Sequence, residues 1–207
     1  MVGEVQVIPQ VDADGRLYSD RNAMGHALID AARAAGVRMT LLDTCYLRAG
    51  PDGAPLDGPR RRFGDGDAAS WAERVEAIEV PDNVLVGAAI HSVRAVPPGA
   101  MTTVAEWAQR RGVPLHIHSS EQTAEVDQCL AVHGRTPTAL MRDHGVLGSR
   151  TTAVHATHLT DEDIADLTGS GTGVCFCPNT ERDLGDGIGP APALIDGTFG
   201  LGSDSHA

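Results

Sequence analysis

Short runs of β-branched and other apolar residues recur at Gly3 to Val7, Val37 to Leu42, Val84 to Ile90, Pro114 to Ser119, Thr152 to Thr157, Gly173 to Cys177 and Phe199 to Asp204. Their length and spacing predict seven strands. Between most of them the apolar positions take a helical period, at Asn22 to Ala34, Ala68 to Ile78, Ala100 to Arg111, Thr123 to His144 with a break near Gly134, and Asp161 to Thr168. Strand and helix in alternation predict a parallel sheet, because parallel neighbours need a crossover between them. Helix punctuation agrees: Asp20 or Asn22 can cap the first helix and Gly36 can end it, while Thr160 precedes an acidic first turn of Asp161, Glu162 and Asp163. The longest irregular stretch, Ala49 to Asp67, follows a strand and reads equally as an active-site loop or a solvated excursion. A doubly wound open sheet and a β/α barrel both satisfy this alternation.

Composition narrows the class. The chain has 207 residues, 42% of them hydrophobic, which suffices for one core and predicts a single domain or part of one over residues 1–207. A formal charge of -12, with no basic run beyond Arg60-Arg61-Arg62, argues against nucleic acid and anionic membranes as partners. With no span-length apolar segment and no secretory layout at the start, the expectation is a soluble, cytoplasmic protein with a small-molecule substrate. Cys45, Cys129, Cys175 and Cys177 are not spaced as a disulfide framework, so reduced thiols are expected, and Cys175-x-Cys177 falls short of a zinc thiolate set.

The chemistry lies in where the histidines and acids fall. His91, His116 with His118, His155 with His158, and Asp204 with His206 all stand at or just beyond the C-terminal end of a predicted strand. Parallel α/β folds build their active sites there. In Pro114-Leu115-His116-Ile117-His118-Ser119-Ser120-Glu121 the strand period sends both histidines to one face, with Glu121 just past the strand end. Imidazole suits a zinc-like ion, and a nearby carboxylate can take a proton from a water that the ion acidifies. The alternative is that His116 and His118 hydrogen-bond inside the barrel while Glu121 caps the next helix. Asp204 is read as a ligand and proton shuttle, or else as a helix cap. Arg94 offers a two-pronged grip on a substrate carboxylate, or else makes a surface salt bridge.

Six segments carry a resemblance to a known family. They are His91-Ser92-Val93-Arg94-Ala95-Val96, His116-Ile117-His118 with Glu121-Gln122, Glu125-Val126-Asp127-x-Cys129-Leu130, His155-Ala156-Thr157-His158, Cys177-Pro178-x-Thr180-Glu181 through Leu184-Gly185-Asp186-Gly187, and Gly202-Ser203-Asp204-Ser205-His206. In this order they resemble the formimidoylglutamate deiminases of the amidohydrolase superfamily, enzymes of histidine degradation. The resemblance implies a (β/α)8 TIM barrel of the amidohydrolase type and one divalent metal ion, usually Zn2+, held by His118 and Asp204 together with a His-x-His pair on the first strand. It implies proton handling by Glu121 and His155, with Asp204 sharing the relay, and a substrate glutamate held by His91 and Arg94. The reaction it implies is hydrolysis of N-formimidoyl-L-glutamate to N-formyl-L-glutamate and ammonia. A related deaminase acting on another aminated or guanidine-like compound, an inactive fragment, and a homodimer all stay open.

Two departures shape the expectation. No His-x-His pair precedes His116, and only seven strands can be counted. The barrel is therefore expected to be incomplete, about strands 2 to 8, a fragment without the first strand and the C-terminal segment. Val5 to Gln10 also lacks the aromatic and histidine residues the family carries after Gly-Glu.

Overall fold

The computed structural model describes residues 2–6, 10, 11, 16 and 18–204, with residues 2–6 as backbone. Val7 to Pro9, within the divergent segment, and His206 lie outside the described residues. Among the described residues seven strands form one sheet, all parallel and in chain order: β1 (Val2–Gln6), β2 (Met39–Cys45), β3 (Val84–Ser92), β4 (Leu115–Ser119), β5 (Thr151–His155), β6 (Gly173–Phe176) and β7 (Phe199–Leu201). A strictly sequential parallel order is that of a β/α barrel, whereas a doubly wound sheet reverses its order at a switch point. Among the described residues β1 and β7 pair with one neighbour each, so the sheet is an incomplete barrel of the expected type.

The crossovers are α1 (Ala23–Ala34), α2 (Ala68–Glu76), α3 (Pro98–Arg111), α4 (Thr123–His133), α5 (Pro137–Asp143), α6 (Asp161–Ser170), α7 (Pro178–Leu184) and α8 (Ala191–Leu194). In α3 the residues Met101, Val104, Ala105, Trp107 and Ala108 repeat at helical spacing and are all buried. They join Leu41, Ile90, Ile117 and Met141 in one core between sheet and helices. Each large side chain there contributes about 1.5–3 kcal/mol of burial. Pro98 starts α3 with its fixed φ, and Gly112 ends it at φ 64, a left-handed position that costs glycine nothing. The expected break near Gly134 separates α4 from α5, and Thr160 caps α6 in a reciprocal box with Asp163.

Close sheet packing needs Gly87 in β3, where an added Cβ would meet the Leu42 side chain and the Pro114 carbonyl, both at 2.8 Å. The period of two then sorts β4. Leu115 and Ile117 join the core, while His116 and His118 take the other face, inside the arc. β6 divides likewise, with Val174 and Phe176 in the core and Cys175 on the inner face.

The loop from Ala49 to Asp67 is neither formless nor wholly solvated. It holds a bridge between Arg48 and Pro55 and a 3-10 helix at Gly58–Phe63. Its end is pinned by a buried ion network. Arg74 of α2 donates to both oxygens of Asp43 on β2, at 2.7 and 2.9 Å, and to both oxygens of Asp65 in the loop, at 2.7 and 3.0 Å. Trp71 Nε1 donates to Asp43 at 3.0 Å, and Asn22, just before α1, exchanges hydrogen bonds with Arg74.

Candidate metal centre and active site

Every strand of a parallel sheet ends on the same side, so the groups at the ends of β3, β4, β5 and β7 share one rim. The register of β3 on β4 shifts between Ile90 and Ser92, which makes His91 the bulged residue. Its carbonyl is thereby free to accept from His118 Nδ1 at 2.7 Å. That bond fixes the His118 tautomer, with the proton on Nδ1 and the Nε2 lone pair left for another partner. The His91 ring lies between Tyr46, stacked at 4.5 Å, and His118, edge-on at 5.6 Å.

Among the described residues, four outside glycine have positive φ: Ser120 (52°), His155 (70°), Ala156 (50°) and Asp204 (52°). All follow or end a strand at this rim. Left-handed backbone in such residues costs about 1–3 kcal/mol each and persists where the surroundings hold it. Here Ala156 N donates to Ser119 O, and His158 N to Ser120 O, both at 2.9 Å, so the end of β5 is tied to the end of β4.

His155 is 1% exposed. Its Nδ1 donates to Glu181 Oε1 at 3.4 Å, and that same oxygen accepts from Cys177 N at 2.7 Å. The Nε2 end then faces Glu121 Oε1 at 3.7 Å and Asp204 Oδ2 at 3.8 Å. The rings of His118 and His155 stack at 5.5 Å. One donor atom each from His118, His155 and Asp204 lies within 4.8 Å of the other two. With both Nδ1 atoms spent as donors, two imidazole lone pairs and a carboxylate meet around one centre. Such a set repels itself unless a cation sits between them, and nitrogen with carboxylate oxygen is the donor type zinc takes. The residues fit a divalent ion.

The rim is also short of polar partners. Six of the ten buried side-chain atoms without a hydrogen-bond partner among the described residues gather here: Arg94 Nε, Ser119 Oγ, Ser120 Oγ, Glu125 Oε1, Thr157 Oγ1 and Asp186 Oδ2. Two of these, Arg94 Nε and Glu125 Oε1, face each other at 3.9 Å. Burial sets the local electrostatics. It pushes His91 down to about 3 and His116 down to about 4, in both cases aided by the charge of His118. It lowers His118 as well. It raises Glu121, with His155 and Arg94 opposing and Asp186 and Asp204 adding to the rise.

The structure therefore brings together His118, Glu121, His155 and Asp204, with His91 against His118. Arg94, just past β3, points its Nε at Glu125 Oε1 across 3.9 Å, too long for a hydrogen bond. His116 and His158 belong to no ligand cluster among the described residues. Glu121 does not cap α4; Glu125 reaches back instead and accepts from Glu121 N at 3.2 Å. Two acids went unrecognised as site residues in the sequence, Glu181 behind His155 and Glu125 behind Glu121 and Arg94. The available signal was an acid four residues beyond a strand-end residue in both cases, Cys177 to Glu181 and Glu121 to Glu125.

Comparison with known proteins agrees with this geometry. The Amidohydrolase family model matches residues 17–207. A formimidoylglutamate deiminase of Pseudomonas aeruginosa is 38% identical over 200 residues, 94% of this chain and 44% of that protein. A 5-methylthioadenosine/S-adenosylhomocysteine deaminase of Syntrophobacter fumaroxidans is 31% identical over 92% of this chain and 42% of its own length. The crystal structure of an amidohydrolase from Brucella melitensis superposes with a TM-score of 0.83 at 33% identity, over 94% of this chain and 44% of that one. The chain thus spans less than half the length of these relatives. With its sequential parallel strands and its rim of histidines and acids, the chain belongs to the amidohydrolase family.

Proposed function

We propose that this chain carries the reaction centre of a metal-dependent hydrolase that cleaves a C–N bond in a linear amidine, N-formimidoyl-L-glutamate, giving N-formyl-L-glutamate and ammonia. The observation that carries the reading is the meeting of His118, His155 and Asp204 from three strand ends, with Glu121 beside them. His118 and Asp204 would hold one divalent ion, with zinc the first choice for such donors, and His155 Nε2 stands close enough to join them. When bound, the ion lowers the pKa of water and polarises the carbon–nitrogen bond under attack.

The chain's own residues do the rest. Glu121, raised by burial, takes the proton of the attacking water at a carboxylate oxygen and delivers it to the departing nitrogen. His155, held by Glu181 on its far side, keeps the Nε2 lone pair turned to the reacting centre, where it can accept a proton. Asp204 shares the proton relay. Arg94, whose Nε faces Glu125 Oε1 at 3.9 Å without a hydrogen bond and whose side chain is 35% exposed, would hold the substrate carboxylate alongside His91, a local cation in a strongly acidic chain. The name of the Pseudomonas aeruginosa relative supports this substrate.

The test is ammonia release from N-formimidoyl-L-glutamate in the presence of Zn2+. Glu121→Gln should abolish it while the bound zinc stays at the wild-type level; turnover retained in that variant would remove the proposed base. A second reading draws on the methylthioadenosine and S-adenosylhomocysteine deaminase relatives, whose names specify nucleosides. Arg94→Ala separates N-formimidoyl-L-glutamate from methylthioadenosine, which carries no carboxylate. Loss of a charge-assisted contact to a substrate carboxylate costs about 1.5–3 kcal/mol in kcat/KM, whereas a substrate without a carboxylate should be barely affected.

A further inference from the structure

The backbone around Arg94 is held from two sides. Ala95 N and Val96 N both donate to Ser92 O at 3.1 Å, closing a turn at the end of β3, and Ala95 O accepts from Leu47 N at 3.1 Å and from Arg48 N at 2.9 Å in the segment after β2. Val93, Ala95 and Val96 are buried in that turn, while the Arg94 side chain stays 35% exposed. A long side chain on a fixed backbone still turns about several bonds, and ordering it costs rotamer freedom.

Glu125 stands where it can aim that side chain. Its carboxylate is itself anchored: α4 fixes its backbone, the side chain is 1% exposed, and Oε2 accepts from Glu121 N at 3.2 Å. The other oxygen, Oε1, faces Arg94 Nε at 3.9 Å, and neither of these two atoms has a hydrogen-bond partner among the described residues. The separation is about 1 Å beyond a charge-assisted hydrogen bond, a gap that a small side-chain rotation closes. A carboxylate that addresses Nε engages one edge of the planar guanidinium and leaves the end formed by the two Nη atoms for a second carboxylate.

We propose that Glu125 is a positioning residue: it aims the Arg94 guanidinium, so that a substrate carboxylate meets a cation already oriented, and thereby makes the centre selective for anionic substrates. This rests on the grip of Arg94 on a substrate carboxylate proposed above. Glu125 touches no substrate atom; it reduces the ordering that Arg94 undergoes when the carboxylate arrives. Removing Arg94 leaves Glu125 with nothing to aim, so the contributions of the two residues to binding are non-additive.

The experiment is a double-mutant cycle on the binding of the product, N-formyl-L-glutamate, to the zinc-loaded chain. Binding is read by isothermal titration at about pH 8, above the value of about 7 to which burial pushes Glu125, so that its carboxylate is charged. Arg94→Ala and Glu125→Gln are each expected to raise Kd about tenfold, the size of one charge-assisted contact, and the double variant to bind no more weakly than Arg94→Ala. A merely structural role for Glu125 gives losses that multiply, and that result would overturn the proposal. An unchanged Kd in Glu125→Gln, or no binding by wild type, would overturn it as well. Glutamine keeps the volume of the side chain and an acceptor for Glu121 N. If that variant does not fold, Arg94→Lys decides, since it keeps the charge and loses Nε: binding about tenfold weaker supports the aiming through Nε, and wild-type affinity overturns it. Ammonia release from N-formimidoyl-L-glutamate by wild type is measured alongside. Multiplying losses with turnover intact overturn the role of Glu125 alone, whereas absent turnover with the cycle as expected overturns the proposed reaction and leaves the aiming of Arg94 standing.

Discussion

Glu125 shows how individual residues around the rim are tuned. Its side chain is 2% exposed, and burial pushes its carboxyl from 4.5 up to about 7 against the opposing charge of Arg94. A folded-state value above the unfolded one means that its contribution to stability is complete below pH 4.5 and is lost as pH rises through 7. His91 and His116, pushed down to about 3 and 4, act with the opposite sign, adding stability as pH rises toward 6.5. These histidines are common to wild type and Glu125→Gln, so the difference between the two proteins isolates the acid. Relative to Glu125→Gln, wild type should lose stability on the order of a few kcal/mol between pH 4.5 and 7, read from urea unfolding at each pH. A flat difference would show that Glu125 is not desolvated in the folded chain. Glu121 differs from Glu125 in what it faces: its Oε1 lies 3.7 Å from His155 Nε2, and its substitution is expected to act on turnover.

Among the elements, the joint between β2, α2 and the loop entering α2 rests on ions in a dry place. Asp43 and Asp65 are buried and share the guanidinium of Arg74, which is 5% exposed, and Arg21 donates to Asp65 at 2.8 Å from the edge. Removing one partner from such a group leaves buried charge without compensation and costs about 3–5 kcal/mol. Arg74→Ala should therefore lower stability by about that amount in urea unfolding, while Arg60→Ala, whose partner Asp57 is 69% exposed, should change it by under about 1 kcal/mol. Equal effects would contradict the picture of a buried joint.

Much at this scale is legible in the sequence, and the exceptions have reasons. Strands β3 to β6 announce themselves through compact apolar runs, and α3 through five buried positions at helical spacing. The short helices α7 and α8 do not, because each buries a single residue and shows no apolar stripe. The 3-10 helix at Gly58–Phe63 buries none. The same limit applies to the site. A period of two aims His116 and His118 to one face, but only the register shift at His91 distinguishes their roles, by giving His118 a carbonyl to bond. Glu181 meets His155 across 26 residues, a pairing that local spacing does not reveal.

The molecule as a whole is an arc of parallel strands in chain order; on β4 and β6 the apolar side chains turn to the helices and His116, His118 and Cys175 to the inside. That division makes the inner rim the place where buried polar atoms accumulate without partners. No helix among the described residues is long and apolar enough to cross a membrane. The acidic balance of the chain, -12 overall, leaves Arg94 as a cation beside the acids of the rim, facing Glu125 at 3.9 Å.

The most direct test of the central claim is a crystal structure of the chain grown with Zn2+ and measured at the zinc absorption edge. The account expects an anomalous peak about 2.0–2.2 Å from His118 Nε2 and from an Asp204 carboxylate oxygen, with His155 Nε2 turned toward it. Rings of His118 and His155 pointing apart, or a centre between them and Asp204 that stays empty at saturating zinc, would contradict it.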